Sequence, residues 1–314
     1  MNSKKKRNHS AKQIQDKLFI CFCVAVTFLS VSALVVLLVT IAKQSVGHLD
    51  FDLLTSYPSR HPEKAGIKAA MWGTVWVCTI CVLIAIPIGT ATSIYLEEFA
   101  RKNKLTRFIE LNISNLAGVP SIVYGILGLT VFARMFGVFG TVNDPFVEVG
   151  DPTSFWYFRL PLGSSIIVGG LTLALVVLPI IIVSSREAIR SVPNSLREAS
   201  LAIGATKWET VRKVVLPQAA PGILTGAILS TSRAIGEAAP LLVIGGFLFI
   251  RFTPANVFDD FTAMPLQIYN WASRPQEEFH AVAAAAIIVL LILLLLFNGT
   301  AAIIRYKFQK VKIK

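Results

Sequence analysis

Long apolar stretches without a charged side chain alternate with short charged segments along the chain. Five such windows are Leu18–Ala42, Ala69–Leu96, Leu111–Ala133, Leu160–Ser185 and Ala281–Ile304. A helix needs about 20 apolar residues to cross the hydrocarbon core of a bilayer, and each window is long enough. A sixth apolar region, Leu216–Ile250, is interrupted by Arg233 and Glu237. The pattern predicts an all-α, polytopic membrane protein with six transmembrane helices.

Composition and charge agree with this fold class and give its orientation. The chain is 54% hydrophobic and 15% charged, whereas soluble domains carry about 25% charged residues. Its net charge of +12 would suggest a nucleic-acid partner in a soluble protein. Here Lys and Arg concentrate in alternate segments between the windows, as in the cytoplasmic loops of membrane proteins. We therefore expect both termini to be cytoplasmic, a lipid bilayer around the chain, and no nucleic-acid partner.

The windows divide the chain into two tails, a first helix and a core. Residues 1–17 form a basic cytoplasmic tail that we expect to be disordered. Residues 18–42 form the first transmembrane helix, which we expect to be retained because it is long for a signal peptide. Residues 69–305 form a core of five transmembrane helices, with a short cytoplasmic loop at Glu97–Glu110 and a cytoplasmic elbow at residues 186–217. Residues 306–314 form a second basic tail.

The elbow begins with the pattern of a short amphipathic helix. Pro193 suits the first turn of a helix, and Ser195 and Glu198 have the spacing of a capping box. One apolar face combines Leu196, Ala199 and Ile203. Gly204 is placed to end this helix in a left-handed conformation.

A second short helix follows Gly204. Thr206 and Glu209 have the spacing of another capping box. An apolar stripe of Trp208, Val211 and Val215 then ends at Leu216-Pro217. On these residues alone, the elbow is either a hairpin lying on the membrane surface or a docking element for a cytoplasmic partner.

The elbow resembles the EAA motif of binding-protein-dependent ABC transporter permeases. That motif reads E-A-A, three residues, G, nine residues, I-x-L-P, and this chain has Glu198-Ala199-Ser200, Gly204 and Val214-Val215-Leu216-Pro217 at the same spacing. The resemblance implies a coupling helix that fits a cleft in an ATPase subunit. The coupling residues that it implies are Glu198, Ala199, Gly204, Leu216 and Pro217.

The same resemblance implies that ATP with Mg²⁺ is hydrolysed on a partner chain. This sequence has no Gly-Lys dipeptide and hence no P-loop. We expect a transport subunit that is not an enzyme, with no catalytic residue, no metal site and no cofactor of its own.

Arg233 and Glu237 lie near the middle of the sixth apolar region, where ionisable residues are costly and by default functional. Their i, i+4 spacing puts both on one side of a helix, and Pro240 predicts a bend beside them. The pair is either a structural ion pair or a substrate-pathway site for an anion. Arginine suits a phosphate or another tetrahedral oxyanion because its planar guanidinium presents several donors.

Three segments are similar to phosphate transporter permeases. They are Ser232–Leu242, Phe261–Tyr269 and Gly118–Gly125. This resemblance implies the type I ABC importer permease architecture and a permease subunit of an ATP-driven importer of inorganic phosphate that works by alternating access. It also implies a second homologous permease subunit, two cytoplasmic ATPase subunits and an extracytoplasmic phosphate-binding protein. The implied location is a bacterial or archaeal cytoplasmic membrane.

Three alternatives remain at this point. A sulfate- or molybdate-type oxyanion importer would share the mechanism, because related permeases carry a similar Arg-x-x-Gly-Glu. An ion-coupled secondary transporter could use Arg233 and Glu237 but would not need the Glu198–Pro217 pattern. A membrane sensor that transports nothing would not need a charged pair within an apolar region.

Overall fold

A computed structural model describes residues 2–141, 144–150, 157–246 and 249–310, and these are predominantly helical. In chain order the helices are α1 (Asn2–Ser45), α2 (Phe51–Thr55), α3 (Lys68–Ile94), α4 (Lys104–Leu116), α5 (Ser121–Leu127), α6 (Ile166–Arg190), α7 (Asn194–Ala202), α8 (Lys207–Thr210), α9 (Leu216–Gly236), α10 (Ala239–Ile244), α11 (Met264–Ala272) and α12 (Glu277–Lys310). Single π-helical turns follow α3, α5 and α8, at Tyr95–Phe99, Gly128–Ala133 and Val211–Val215. Short 3₁₀ turns cover Pro62–Lys64 and Met135–Gly137.

Six membrane spans are present when a bent helix pair counts as one span. Five segments of the described chain are long and apolar enough to cross a bilayer: Gln15–Ser45, Lys68–Phe99, Ile166–Arg190, Lys207–Gly236 and Glu277–Ile303. The sixth span combines Lys104–Leu116 with Ser121–Ala133, which meet at an angle of 108°. The predicted all-α membrane fold is therefore confirmed, and the even number of spans places both ends of the chain on one side.

The third span differs from the prediction. The sequence pattern predicted one helix over Leu111–Ala133, but α4 ends at Leu116 and α5 starts after Pro120. Proline lacks the N–H that a continuous helix would use, and the Tyr124 hydroxyl donates instead to the Leu116 carbonyl at 2.8 Å. The segment expected as a cytoplasmic loop, Glu97–Glu110, is largely helical, because the π turn after α3 and the start of α4 occupy most of it.

Both predicted tails are partly helical. α1 begins at Asn2 and includes most of the basic tail that was expected to be disordered, and it contains the whole predicted first span. α12 likewise continues through Arg305 to Lys310, and residues 311–314 lie outside the described ranges. The helical pattern of each span extends across its charged flank without a proline or glycine to stop it.

The centre of the molecule is a layer of helices packed through small residues. α6 packs against α3 and α9, while α1 packs against α12. Gly170 of α6 lies against Ile80 of α3, and Gly226 of α9 lies against Ser184 of α6. Close helix approach at small residues is the usual packing of membrane helices, because dispersion contacts replace the hydrophobic effect there.

The predicted outer end carries two short antiparallel hairpins and α11. Strands β1 (Gly140–Thr141) and β2 (Asp144–Pro145) pair, as do β3 (Val147–Val149) and β4 (Phe158–Leu160). The hydroxyl of Tyr157 donates to Glu148 at 2.8 Å, and burial raises the pKa of this tyrosine. Phe261, before α11, is fully buried against Gly169 of α6. The outer segments therefore cap the helix layer.

Candidate functional site

The predicted elbow is present as two helices joined at Gly204. α7 ends at Ala202 and α8 begins at Lys207. Gly204 has φ of +88°, a left-handed conformation that disfavours any residue with a Cβ. Its role as the turning point of the elbow, predicted from the sequence, is confirmed.

Only one of the two predicted capping boxes forms. The Thr206 hydroxyl accepts from the Glu209 N–H at 3.2 Å, and the Glu209 carboxylate accepts from the Thr206 N–H at 2.9 Å. The box predicted at Ser195 and Glu198 is wrong, because Pro193 occupies the cap position and Ser195 already lies inside α7. Pro193 was predicted in the first turn of the helix but stands at the cap position, one residue before α7 begins, with extended backbone at ψ of 137°.

The second elbow helix continues past Leu216-Pro217, where the predicted apolar stripe ends. α8, the π turn Val211–Val215 and α9 form one continuous helical segment, Lys207–Gly236. The π turn ends two residues before Pro217, whose missing N–H interrupts the normal i→i−4 bonding. The elbow is therefore covalently and helically continuous with the span that carries Arg233.

The elbow presents its family motif and an apolar surface on the outside of the chain. Glu198, Ala199, Gly204 and Pro217 are exposed and Leu216 is half-buried. Ile203 is 86% exposed and Trp208 57% exposed. Exposed apolar side chains next to charged ones are typical of an interaction site. The coupling roles of these residues stay predictions.

Ser200, which departs from the alanine of the family motif, has a structural partner. It is buried in α7, and its Oγ lies 2.9 Å from Thr210 Oγ1 of α8. The Thr210 hydroxyl also donates to the Thr206 carbonyl at 3.1 Å. The substitution therefore adds a hydrogen bond that holds the two elbow helices together.

Ion pairs hold the elbow to the rest of the cytoplasmic end, and sequence reasoning missed them. The Arg197 guanidinium of α7 contacts Glu98 at 2.9 Å and donates to the Ile189 carbonyl at 2.9 Å. Both side chains of this pair are largely buried. The elbow therefore moves together with the end of α3 unless this contact breaks.

A second set of ion pairs links the ends of α3, α4 and α6. Arg186, which is buried, contacts Glu97 at 2.7 Å and Glu110 at 2.8 Å. Arg190 also contacts Glu97 at 2.7 Å. These partners lie about 80 to 90 residues apart along the chain. In the sequence, the only indication of these ion pairs was the presence of three acidic residues in Glu97–Glu110, a segment where basic residues prevail.

An aromatic contact completes this connection. The rings of Phe99 and Trp208 have centroids 6.3 Å apart, and the Lys207 ammonium lies 5.3 Å from the centroid of the Phe99 ring. Such cation–π contacts stabilise by about 0.5–1 kcal/mol at exposed sites. α8, like α7, is thus attached to the π turn that ends α3.

Arg233 and Glu237 meet at a break between two helices. Arg233 lies in the last turn of α9, and Glu237 follows with extended backbone at ψ of 116° before α10 begins. Arg233 Nε donates to Glu237 Oε1 at 3.2 Å. The predicted bend beside Pro240 is confirmed. α9 ends beside the pair because Pro240 leaves the Gly236 carbonyl without its helical donor, and the position of Arg233 near the middle of the span stays a prediction.

The guanidinium is held on one side and open on the other. Its side chain is 50% exposed, whereas Glu237 is 17% exposed. Among the described residues, Nη1 and Nη2 of Arg233 have no hydrogen-bond partner, since Nε alone contacts Glu237. A half-bound guanidinium with two free amino groups can bind a tetrahedral oxyanion through two parallel hydrogen bonds.

Polar contacts from α12 support this region and were missed by sequence reasoning. Ser232 hydrogen-bonds Asn298 in α12, and Arg305 donates to Thr225 at 3.1 Å. Asn298 is uncharged and lies inside an apolar window, so a search for charged residues passes over it. The first bond fixes α9 to α12 one residue away from Arg233, and the second fixes them about two helical turns earlier in α9.

Two of the segments similar to phosphate transporter permeases touch each other. Gly125 of α5 lies against Pro240 of α10, where a Cβ on the glycine would lie 2.8 Å from the Pro240 Cα. The third segment, before and within α11, is buried up to Gln267 and packs against α3 and α6. Among the described residues, no group of three or more His, Cys, Asp or Glu is arranged to hold a metal ion.

Comparison with known sequences gives the family of this chain. Residues 85–309 match the family described as binding-protein-dependent transport system inner membrane component. A probable ABC transporter permease protein YqgI of Bacillus subtilis is 36% identical over 234 residues, which cover 74% of this chain and 69% of that protein.

Several relatives are named for phosphate transport. The phosphate transport system permease protein PstA 1 of Mycobacterium tuberculosis is 32% identical over 242 residues, 77% of this chain and 70% of that protein. The phosphate transport system permease protein PstC of Mesorhizobium japonicum is 36% identical over 208 residues, 64% of this chain and 62% of that protein.

Solved structures share the fold at low sequence identity. A bacterial alginate ABC transporter chain aligns with a TM-score of 0.64 and 14% identity, over 91% of this chain and 93% of that one. A MetNI methionine ABC transporter chain aligns with a TM-score of 0.56 and 20% identity, over 76% and 94%. The chain belongs to the family of binding-protein-dependent transport system inner membrane components and is a multi-pass permease subunit of an ABC importer.

Proposed function

We propose that this permease subunit imports inorganic phosphate and that Arg233 and Glu237 line the substrate pathway. The observation that carries the proposal is the Arg233 guanidinium, held at Nε by Glu237 and free at both amino groups among the described residues. Charge-assisted bidentate bonds are the strongest that a side chain offers to a phosphate. The relatives named for phosphate transport favour this anion over sulfate or molybdate.

Glu237 has two roles in this proposal. It fixes the guanidinium, so that less side-chain freedom is lost when the anion binds. Its negative charge also repels the anion, which keeps the site weak enough for release. A site in a transport pathway needs both properties, because an anion that binds too tightly does not leave.

The chain works with partners in this proposal. A second homologous permease subunit completes the pathway, and two cytoplasmic ATPase subunits bind the elbow at Glu198–Pro217 and hydrolyse ATP with Mg²⁺. An extracytoplasmic phosphate-binding protein delivers the anion. We expect no catalytic, metal or cofactor site in the chain itself, and we place the chain in the cytoplasmic membrane of a bacterium or archaeon. Closure of the ATPase subunits moves the elbow and switches the pathway between its two faces.

Replacement of Arg233 tests the pathway role. Arg233→Gln removes the charge and the planar fork of donors, so uptake of labelled phosphate by the complete transporter should fall by about tenfold or more. Arg233→Lys keeps the charge but loses the bidentate geometry and should be intermediate. The matched control is Arg251→Gln, an exposed arginine in the outer segment after α10. Unchanged uptake by Arg233→Gln at equal membrane abundance would refute the proposal.

Two further measurements separate the alternatives. An excess of unlabelled sulfate or molybdate should leave phosphate uptake unchanged, whereas inhibition by either would favour a different oxyanion importer. Phosphate uptake into proteoliposomes should require ATP on the side of the membrane that carries the elbow. Uptake driven by an ion gradient without ATP would favour a secondary transporter.

A further inference from the structure

Helix α4 has an apolar face that no other part of the described chain covers. None of its residues is buried. Leu105 and Phe108 are 65% and 64% exposed, and Ile109 and Leu116 lie on the same side of the helix and are exposed as well. Asn112, which lies within this face, donates its side-chain amide to the Phe108 carbonyl at 2.8 Å, so its polar group is satisfied inside the helix. The face can therefore contact an apolar phase.

The opposite side of α4 borders a basic groove. The groove has a volume of about 710 Å³. Its charged lining residues are Glu97, Lys102, Lys104, Arg107, Glu110 and Arg190. Asn103 accepts from the Thr106 N–H at 2.8 Å and so starts α4 at the rim of the groove. A groove of this size accommodates a phosphate group together with its substituents.

The charges in this groove leave a cationic surplus. Glu97 and Glu110 are already paired with Arg186 and Arg190 at 2.7–2.8 Å. In the part of the chain that the structure describes, Lys102, Lys104 and Arg107 form no ion pair with a carboxylate. Three unpaired cations in one groove favour an anionic ligand.

The position of α4 selects the kind of anion. The helix bends by 108° from the rest of its span, and Arg190 in the groove ends α6 directly before the cytoplasmic elbow. An amphipathic helix with basic residues on its polar side lies in the plane of the membrane interface. The cytoplasmic leaflet carries anionic lipids, which attract clustered Lys and Arg.

We propose that α4 lies in the cytoplasmic interface of the membrane and that the groove of Lys102, Lys104 and Arg107 binds the phosphate of an anionic phospholipid, whose chains cover the apolar face of α4. The cations of the groove bind the headgroup phosphate, and the apolar face contacts the acyl chains. Both features belong to α4, so one lipid satisfies them together. A free phosphate ion would use the groove but leave the apolar face unexplained. A second protein subunit would cover the face but leave the cations unpaired.

The first test measures lipid selectivity. The full-length chain is purified in an uncharged detergent with equal amounts of phosphatidylglycerol and phosphatidylcholine, and bound lipid is counted by native mass spectrometry. Phosphatidylglycerol should be retained in excess. The combined variant Lys102→Gln, Lys104→Gln and Arg107→Gln should reduce that excess by roughly tenfold to a hundredfold.

A matched variant controls for total charge. Lys207→Gln, Arg212→Gln and Lys213→Gln remove the same charge from the exposed elbow at the same end of the chain, and they should leave the preference unchanged. Equal retention of the two lipids by the unaltered chain, or an equal loss in both variants, would overturn the proposal.

The second test separates a lipid from a free ion and from a protein partner. Leu105→Ser with Phe108→Ser should reduce phosphatidylglycerol retention, because the acyl chains lose their contact, while the basic groove is intact. Labelled inorganic phosphate at millimolar concentration should show no binding that depends on Lys102, Lys104 and Arg107. Phosphate binding lost in that variant without any lipid preference would assign the groove to a free ion. Release of the lipid when the second permease subunit is added would assign the face to that subunit.

Discussion

At the residue scale, the elbow depends on the left-handed backbone of Gly204. A Cβ added there would meet no atom within 4 Å, so any effect of a substitution comes from the backbone and not from a clash. A residue other than glycine costs about 1–2 kcal/mol in this conformation, and asparagine costs less than most. Gly204→Ala should reduce phosphate uptake stimulated by the binding protein, and Gly204→Asn should retain most of it.

The comparison of these two variants isolates the conformational effect. Gly299→Ala is the control, because Gly299 also has open space around it but lies in α12 without a positive φ. That control should transport like the unaltered chain. Equal activity of Gly204→Ala and Gly204→Asn, measured as transport per ATP in proteoliposomes, would contradict a role for the left-handed turn.

Single residues could be predicted from the sequence where their conformation is local. Gly204 and the Thr206–Glu209 box depend on neighbours within five positions, and both were predicted correctly. The box at Ser195 failed for a local reason too, since Pro193 took the cap position. The bond from Ser232 to Asn298 spans 66 positions and has no local signature.

At the element scale, the Glu98–Arg197 pair joins α7 to the end of α3. Both side chains are largely buried, so the loss of one partner should cost roughly 1–3 kcal/mol, between the values for exposed and buried pairs. Arg197→Glu should therefore lower the unfolding temperature of the purified chain and the phosphate transported per ATP. The double variant Glu98→Arg with Arg197→Glu should recover part of both.

Recovery by charge reversal distinguishes a specific pair from general damage. The exposed pair of Glu209 and Lys213, 3.5 Å apart in α8 and the π turn, is the control. Lys213→Gln should change stability by less than about 0.5 kcal/mol, because solvent screens the pair. A double variant that is no better than Arg197→Glu alone would show that the ion pair does not transmit coupling.

The elements themselves could be predicted where hydrophobic length decides. Five of the six spans follow from the apolar windows, because no other structure satisfies the backbone of such a stretch in lipid. Pro120 indicated a break in the third span, but not the direction of α4. That direction depends on Tyr124 bonding Leu116 and on Glu110 bonding Arg186, and the second contact joins distant parts of the chain.

At the scale of the whole molecule, the elbow reaches the Arg233–Glu237 pair by two routes. The first is the continuous helical segment Lys207–Gly236, which ends at the pair. The second route starts at the ion pair between α7 and the end of α3 and continues through the ion pair between α4 and α6. It then passes from α5 to α10, which pack against each other. The helix break at the pair is therefore connected to the elbow on both of its sides.

The second route can be tested at its last contact, where Gly125 meets Pro240. A Cβ on Gly125 would lie 2.8 Å from the Pro240 Cα, so Gly125→Ala must move α10 away from α5 and shift Glu237 relative to Arg233. Overpacking of this kind costs about 1–3 kcal/mol. We expect phosphate uptake to fall severalfold while ATP hydrolysis continues. Gly118→Ala in the same segment is the control, because its nearest contact would be an ordinary 3.4 Å. Equal transport per ATP in the two variants would show that movement of the elbow reaches the Arg233–Glu237 pair through α9 alone.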